Sequence, residues 1–169
     1  MSSTKKILLD ADVIIHFFKG GKLRLLPKIF PNRLNILDIV FEEIKGSKII
    51  TVIDNLIENG EIDYIEFPNS DLYNKEYASL RSEKMSFYGK GESACMVYAR
   101  YNKQFIASCN YRDIRRYCDF HNIEHFNTLD ILDIAVRKNL LSDSDRKNFI
   151  ELVIRKGSIL PFPKVKKKS

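Results

Sequence analysis

Short apolar runs alternate with amphipathic segments along most of the chain. Between the runs, apolar residues recur every three to four positions, which is the spacing that buries one face of a helix. Five runs have the length of strands; some are continuously apolar, as expected of a strand that is buried on both faces, and the run over residues 62–67 alternates apolar and polar positions. They are Ile7–Leu9, Leu34–Leu37, Ile62–Phe67, Phe105–Ala107 and Ile123–Phe126. This alternation predicts an α/β fold in which a central parallel sheet is flanked by helices.

Two aspartates stand between the first apolar run and the first predicted helix. Asp10 follows Leu9 directly, at the carboxyl end of the predicted strand. Ligands of open α/β sheets bind at this end, so Asp10 is a candidate for chemistry. Asp12 has the side chain of a helix N-cap, because its carboxylate can accept from free backbone N–H groups. We therefore expect Asp12 to begin the helix that carries Val13 and Phe17.

Three further acids follow later elements of the predicted fold. Glu43 lies in the short helix after the second strand, and Glu92 lies in the first turn of a later helix. Asp113 follows the fourth strand. Because the carboxyl ends of neighbouring parallel strands share one edge of a sheet, we expect these acids to converge with Asp10. Mg²⁺ or Mn²⁺ would neutralise such a cluster and would permit metal-assisted attack of water on a phosphodiester.

Composition narrows the class of protein. The chain has 169 residues and is 44% hydrophobic, which is enough for one domain and too short for two typical ones. We expect a single domain over residues 1–160, followed by a basic, disordered tail over residues 161–169. The formal charge of +6 suits a polyanionic partner.

The number of cysteines and the hydropathy of the sequence indicate the cellular compartment of the protein. The three cysteines are an odd number, which argues against a disulfide framework and favours a reducing cytoplasm. No cleavable leader is visible in the sequence. Charged residues interrupt every apolar run well before the roughly 18 residues that are needed to span a bilayer. We expect a soluble, cytoplasmic protein with no membrane partner.

Four segments of the chain resemble, in this order, the acidic motifs of PIN-domain ribonucleases. They are LLDADVIIHFF, VFEEIKG, GKGESACMVYA and FIASCNYRDIRR. The resemblance extends to about Leu141 and includes NTLDILDIAVRKNLLS, which is similar to a segment of the PIN branch whose third motif reads Gly-x-Gly-Glu. The family includes VapC-like toxins of bacterial toxin–antitoxin pairs. The resemblance implies a three-layer, Rossmann-like fold and an endoribonuclease that uses Mg²⁺ or Mn²⁺, with RNA, an antitoxin protein and a second copy of the chain as partners.

The resemblance also assigns roles to the acids. Asp10, Glu92 and Asp113 would be metal ligands, and all three, with the second-motif acid Glu43, would be catalytic. Glu42 competes with Glu43 for the second-motif position. We prefer Glu43 because the family's acid usually stands directly before an apolar residue, here Ile44.

The fourth motif departs from the commoner family pattern. Many members carry an aspartate two residues after a serine or threonine, whereas this chain has Asn110 after Ser108. A neutral amide holds a cation less strongly than a carboxylate, so we expect weaker occupancy of a second metal position. Ser108 and Asn110 are expected to orient water or ligands through hydrogen bonds, and Asp12 is expected to be a supporting residue of the site.

Basic residues border the predicted acidic pocket in the sequence. We expect them to hold RNA phosphates, mainly by electrostatic attraction. They are Lys90, Arg112, Arg115 and Arg116. The alternative for each is an ordinary solvated charge on a helix. Tyr111 is a candidate for stacking on a base, and the lysine-rich tail is expected to add non-specific attraction to RNA.

Two other functions stay open. A haloacid dehalogenase-type phosphatase would use Asp10 as nucleophile and Asp12 as acid, because Asp10-Ala11-Asp12-Val13 resembles that family's nucleophile motif. This alternative leaves Glu43 and Glu92 without roles. A catalytically silent PIN module would bind RNA or a protein partner, and Asn110 is its best support.

A zinc site is disfavoured. Cys118, His121 and His125 have spacing that is similar to that of metal ligands, but a structural zinc site needs four ligands and the fourth is not apparent. Packing explains the three residues better.

Overall fold

The alternating pattern of the sequence becomes five strands and nine α-helices in the computed structural model, which describes residues 5–82 and 88–162 apart from the side chains of Tyr111 and Asp113. The strands are β1 (Ile7–Leu9), β2 (Leu34–Leu37), β3 (Ile62–Ile65), β4 (Phe105–Ala107) and β5 (His125–Phe126). The helices are α1 (Ala11–Lys19), α2 (Leu26–Ile29), α3 (Asp38–Ile44), α4 (Ile49–Glu58), α5 (Asp71–Leu80), α6 (Lys90–Asn102), α7 (Tyr111–His121), α8 (Thr128–Arg137) and α9 (Asp143–Arg155). The predicted basic tail lies outside the described residues from residue 163 onward.

The five strands form one sheet in the order β3-β2-β1-β4-β5, and every neighbouring pair is parallel. Ile7 of the central strand β1 pairs with Leu34 of β2 on one side and with Phe105 of β4 on the other. β1 is completely buried, as expected for a strand that is covered on both faces. The prediction of an α/β fold with a central parallel sheet is therefore confirmed.

The helices pack in two groups that flank the sheet. Helix α6 contacts α3, α5 and α7 in one group, and α1, α8 and α9 contact one another in the other, while α1 also contacts α3. Within the described ranges, every helix is too short or too polar to cross a bilayer. All the parallel strands point their carboxyl ends toward one edge of the sheet, where α1 and α3 begin directly after β1 and β2.

The predicted start of the first helix is wrong. Helix α1 begins at Ala11, and its N-cap is Asp10, which accepts from the Ala11 N–H at 2.9 Å. The prediction that Asp12 begins this helix fails because Asp10 already has the extended backbone of a cap. Helix α8 is likewise capped by Asn127, whose side chain accepts from two backbone N–H groups.

The segment between Leu23 and Phe30, which lies between α1 and β2, is not one continuous α-helix. It contains a single 3-10 turn over Leu23–Leu25, which is followed by α2. Pro27 lies at the start of α2, where its missing N–H costs no helical hydrogen bond. The two predicted strands at the sheet edges are also shorter than expected, since β3 ends at Ile65 and β5 begins at His125.

Candidate active site

Asp10 occupies the carboxyl end of β1, in the centre of the sheet. Its backbone N–H continues the pairing with β4 by donating to Ala107 O at 2.9 Å. One side-chain oxygen caps α1, and the other accepts from Ser108 Oγ at 2.9 Å. The side chain is only 6% exposed. The carboxylate is therefore held in one orientation by two elements that follow neighbouring strands.

Asp12 joins α1 to the segment that follows β4. Its Oδ1 accepts from the Val13 N–H at 2.6 Å, and its Oδ2 accepts from the Cys109 N–H at 2.8 Å. The Ser108 hydroxyl also lies 3.5 Å from Asp12 Oδ2. Asp12 thus holds the backbone of this segment beside Asp10.

The amino terminus of α6 brings two more of the predicted acids to this side of the sheet. Glu92 is 5% exposed, and its Oε2 accepts from the Gly89 N–H at 3.2 Å. Glu43 reaches across from α3 and accepts from the Gly91 N–H at 2.8 Å. Carboxylates in these places are stabilised by the helix dipole and by otherwise unpaired N–H groups.

Gly91 permits the contact between α3 and α6. A Cβ atom at this position would lie 2.8 Å from Glu43 Oε2 and 3.0 Å from Val40 Cγ2. Only glycine leaves room for the Glu43 carboxylate to approach the backbone this closely. The Gly-x-Gly-Glu segment therefore has a packing reason for its second glycine.

Glu43 and its sequence neighbour Glu42 make different contacts. Glu42 is exposed and forms an ion pair with Lys45 at 2.9 Å, in solvent. Glu43 is also exposed, but its carboxylate contacts α6 one residue before Glu92. This placement supports the preference for Glu43 as the second-motif acid.

The buried acids influence one another electrostatically. Burial raises the pKa of Asp10 well above its usual value, and the nearby charges of Asp12 and Glu92 raise it further. Burial also raises the pKa of Asp12, although the N–H groups of Cys109 and Val13 favour its charged form. The repulsion shows that Asp10, Asp12 and Glu92 lie in one electrostatic cluster.

The donor chemistry of this cluster fits a hard divalent cation. Carboxylate oxygens are the ligands that Mg²⁺ and Mn²⁺ prefer, and a cation would relieve the repulsion among them. Among the described side chains, no group of three or more His, Cys, Asp or Glu residues is arranged to hold a metal ion. Asp113, the fourth predicted acid, has its backbone in the first turn of α7, but its side chain lies outside the described residues.

The remaining predicted residues surround the start of α7. Asn110 is the exposed N-cap residue of this helix, and its N–H donates to Ser108 Oγ at 3.3 Å. The expected stacking residue Tyr111 also has a side chain outside the described residues. The four predicted RNA-binding cations are exposed: Lys90 at the start of α6, and Arg112, Arg115 and Arg116 on α7. Arg115 forms an ion pair with Asp119 at 3.3 Å, as an ordinary helix charge would.

Sequence reasoning missed three residues that support this site. Cys109 provides the N–H that holds Asp12, and its thiol contacts both His16 and Thr128. One signal was present in the sequence, since His16 follows Asp12 by four residues and so lies on the same face of α1. The approach of Thr128 to that face depends on the packing of α8 against α1.

Comparison with known families gives one match that spans almost the whole chain. The model of family DUF3368, which is described as a PIN domain, matches residues 6–165. No curated protein sequence matches the chain. This range contains all five strands and all the acids discussed above.

Proposed function

Because the chain belongs to the PIN-domain family, whose members are generally nucleases that use divalent metal ions, we propose that it is an endoribonuclease dependent on Mg²⁺ or Mn²⁺. One observation carries the proposal. The first-motif acid Asp10 and the third-motif acid Glu92, which are far apart in the sequence, are both almost completely buried where α6 packs against β1, and the charge of Glu92 raises the pKa of Asp10. Asp10 lies at the carboxyl end of β1, and this is the end at which ligands of open α/β sheets bind.

In this proposal Asp10 and Glu92 hold the metal, and Asp113 completes the ligand set. A bound divalent ion would supply a water of lowered pKa and would stabilise charge on the phosphodiester. Ser108 orients Asp10 by donating to its Oδ2 atom. Glu43 fixes the start of α6, and with it the position of Glu92, through its hydrogen bond with Gly91.

The substrate is proposed from charge. Lys90 and Arg112 are exposed at the beginnings of α6 and α7, the same helix ends that carry Glu92 and Asp113. Cations in this position would hold phosphates while the acids hold the metal. The net charge of +6 favours a polyanion as well.

We extend the proposal to the biological setting. The chain would act in the cytoplasm, in keeping with three cysteines that are all free. It would be the toxin of a toxin–antitoxin pair, with an antitoxin protein and a second copy of itself as partners. Co-purification with the product of an adjacent gene, and light scattering of the pure protein, test these partners separately.

The first experiment measures cleavage of mixed single-stranded and structured RNA with Mg²⁺, with Mn²⁺ or with EDTA. The wild type is compared with Asp10→Asn and Glu92→Gln, and we expect both variants to lose about 100-fold or more of a metal-dependent activity. Glu42→Gln is the matched control, because Glu42 pairs with Lys45 in solvent. Cleavage that persists in both variants would contradict the proposed site.

A second candidate is a catalytically silent module of the same family. It is favoured by Asn110, which stands where many members carry an acid. Calorimetric titration with Mn²⁺ separates the two candidates, since a silent module would bind no metal and would still bind RNA or a protein.

The phosphatase alternative loses its support. The matching family is a PIN domain. In addition, both Asp12 oxygens accept from backbone N–H groups, which leaves this carboxyl poorly placed to deliver a proton. A wild type that hydrolyses no phosphate monoester would agree with this conclusion, whereas a phosphatase activity that Asp12→Asn abolishes would contradict it.

A further inference from the structure

The segment that links β4 to α7 carries donors for two of the buried acids. Ser108 Oγ donates to Asp10 at 2.9 Å, and the Cys109 N–H donates to Asp12 at 2.8 Å. The orientation of both carboxylates therefore depends on where this short segment lies. Hydrogen bonds to charged acceptors are strong but directional, so a small displacement of the segment would weaken them.

The same segment is attached on its other side to the beginning of α8. The Thr128 N–H donates to Cys109 Sγ at 3.3 Å, and the Thr128 hydroxyl lies 2.9 Å from the same sulfur. Thr128 is completely buried. Its side chain and backbone together determine the position of the Cys109 thiol.

His16 closes this arrangement into a ring. Its Nδ1 atom lies 2.9 Å from Thr128 Oγ1 and 3.4 Å from Cys109 Sγ. His16 stands on α1 four residues after Asp12, so the ring begins and ends on one helix. It runs from Asp12 through Cys109 and Thr128 to His16.

Apart from the Asp12 carboxylate, the ring is a network of neutral groups. Burial lowers the pKa of His16 to about 4, and the positive charge of Lys19 lowers it further. Burial raises the pKa of Cys109 to about 12, with a contribution from Asp12. At neutral pH the thiol and the imidazole are therefore uncharged, and Cys109 is no nucleophile. These contacts therefore orient the Cys109 segment and take no part in covalent chemistry.

We propose that Thr128 is a positioning residue of the candidate active site, acting through Cys109 to hold the Ser108–Cys109 segment against Asp10 and Asp12. The inference rests on the proposed function in that it treats these acids as parts of the site. Thr128 itself contacts neither acid in the described structure, so its influence passes through the thiol and the backbone of Cys109.

The test compares Thr128→Val, which removes the hydroxyl at similar volume, with Thr128→Ser, which keeps it. The first readout is the amide proton resonance of Cys109 in the metal-free protein, because a hydrogen bond to a carboxylate moves such a proton downfield. We expect this resonance to move upfield in Thr128→Val and to return in Thr128→Ser. Asp12→Asn provides the reference for loss of the charged acceptor, and Thr51→Val, at an exposed position on α4, is the matched control.

The second readout is the affinity for Mn²⁺, measured by calorimetry. Residues that orient metal ligands typically change the affinity by 10- to 100-fold, and we expect about a tenfold loss in Thr128→Val and recovery in Thr128→Ser. Thermal unfolding of each variant shows that the comparison is made between folded proteins.

A double-mutant cycle tests whether Thr128 acts through Cys109. If Thr128 acts through the Cys109 thiol, Thr128→Val has no further effect on the residue 109 amide once Cys109→Ala is present. A folded Thr128→Val protein with an unchanged Cys109 resonance would overturn the inference, as would full additivity in the cycle. Failure of the wild type to bind Mn²⁺ would instead count against the proposed function, because the amide readout needs no metal.

Discussion

Asp10 serves both the fold and the candidate site. It caps α1 and accepts from Ser108, yet it is buried close to two other acids. Burying a charge near like charges costs free energy, and proteins keep such groups mainly where function requires them. At this residue, a buried carboxylate lowers the stability of the metal-free protein, whereas the proposed activity requires that carboxylate.

Asp10→Asn should stabilise the metal-free protein at neutral pH. The folded protein binds a proton at Asp10 more tightly than the unfolded chain does, because burial raises the pKa. Stability is therefore lost as the pH rises from the usual aspartate value of about 3.9 through the raised one. Asparagine caps helices as well as aspartate does, and it removes this loss.

We expect Asp10→Asn to be more stable than the wild type by about 1 kcal/mol or more at pH 7, with a smaller difference at pH 4. Urea unfolding in EDTA measures both values. Asp54→Asn, at an exposed position on α4, should change stability by less than about 0.5 kcal/mol. A less stable Asp10→Asn protein at pH 7 would refute the argument.

Gly91→Ala should disrupt the junction of α3 and α6. The new methyl group would lie 2.8 Å from Glu43 Oε2, so the Glu43 side chain must leave the Gly91 N–H. We expect a loss of about 1–3 kcal/mol in unfolding free energy. Gly89→Ala is the control, since its Cβ would meet only Glu92 Cβ at 3.9 Å. Equal losses in the two variants would show that close packing is not the cause.

At the scale of the elements, one carboxylate joins three helices. Glu76 of α5 accepts from Arg100 Nη1 at 2.6 Å and from the Tyr101 hydroxyl at 2.5 Å, both on α6. It also accepts from the Tyr117 hydroxyl of α7. Burial by itself would raise the pKa of Glu76, but these three donors outweigh burial and lower it. The cluster anchors α5 beside the two helices that begin at the candidate site.

Glu76→Ala should cost about 1–3 kcal/mol, because it leaves two tyrosine hydroxyls and an arginine without their acceptor. The contribution of Glu76 is present above its unfolded pKa of about 4.3 and is lost as the pH falls through the lowered folded value. The variant should therefore show a flatter decline of stability below pH 5. Urea titrations from pH 7 to pH 3 test this, with Glu42→Ala as a surface control that changes stability by less than about 1 kcal/mol.

At the scale of the whole molecule, the acids lie at one edge of the sheet while much of the positive charge lies elsewhere in the chain. Four lysines stand after Pro163, beyond the described residues. Leu160 is buried, so the packed part of the chain reaches at least this far. We predict that these four lysines add non-specific attraction to RNA.

Removal of residues 163–169 should weaken RNA binding mainly at low salt. Each lysine that neutralises a phosphate of a single strand contributes about 0.7 to the slope of log K against log salt, so we expect the slope to fall by about 2–3. Binding of a fluorescent RNA to catalytically inactive Asp10→Asn protein, at several salt concentrations, measures the slope. An unchanged slope would show that the tail makes no contact with RNA. As a control, the shortened chain should have the same melting temperature as the full chain.

Most of the fold could be read from the sequence because periodicity records which faces are buried. Continuous or alternating apolar positions identified all five strands of the described structure, and the acids Asp10, Glu43 and Glu92 stood out by their places after a strand or at a helix start. These are local properties of the chain. Strand ends were less well predicted, because β3 and β5 lie at the sheet edges, where one neighbour is missing.

Tertiary structure alone decided how these residues meet. No local pattern distinguishes Asp10 from Asp12 as the cap, or shows that the Cys109 N–H holds Asp12 from a position 97 residues along the chain. Glu43 approaches Gly91 because α3 packs against α6, and Thr128 approaches His16 because α8 packs against α1. The sequence by itself determined the elements and the candidate acids, since these follow from burial and chain direction. Their hydrogen-bonded partners were decided by packing, because such contacts join elements that are remote in the chain.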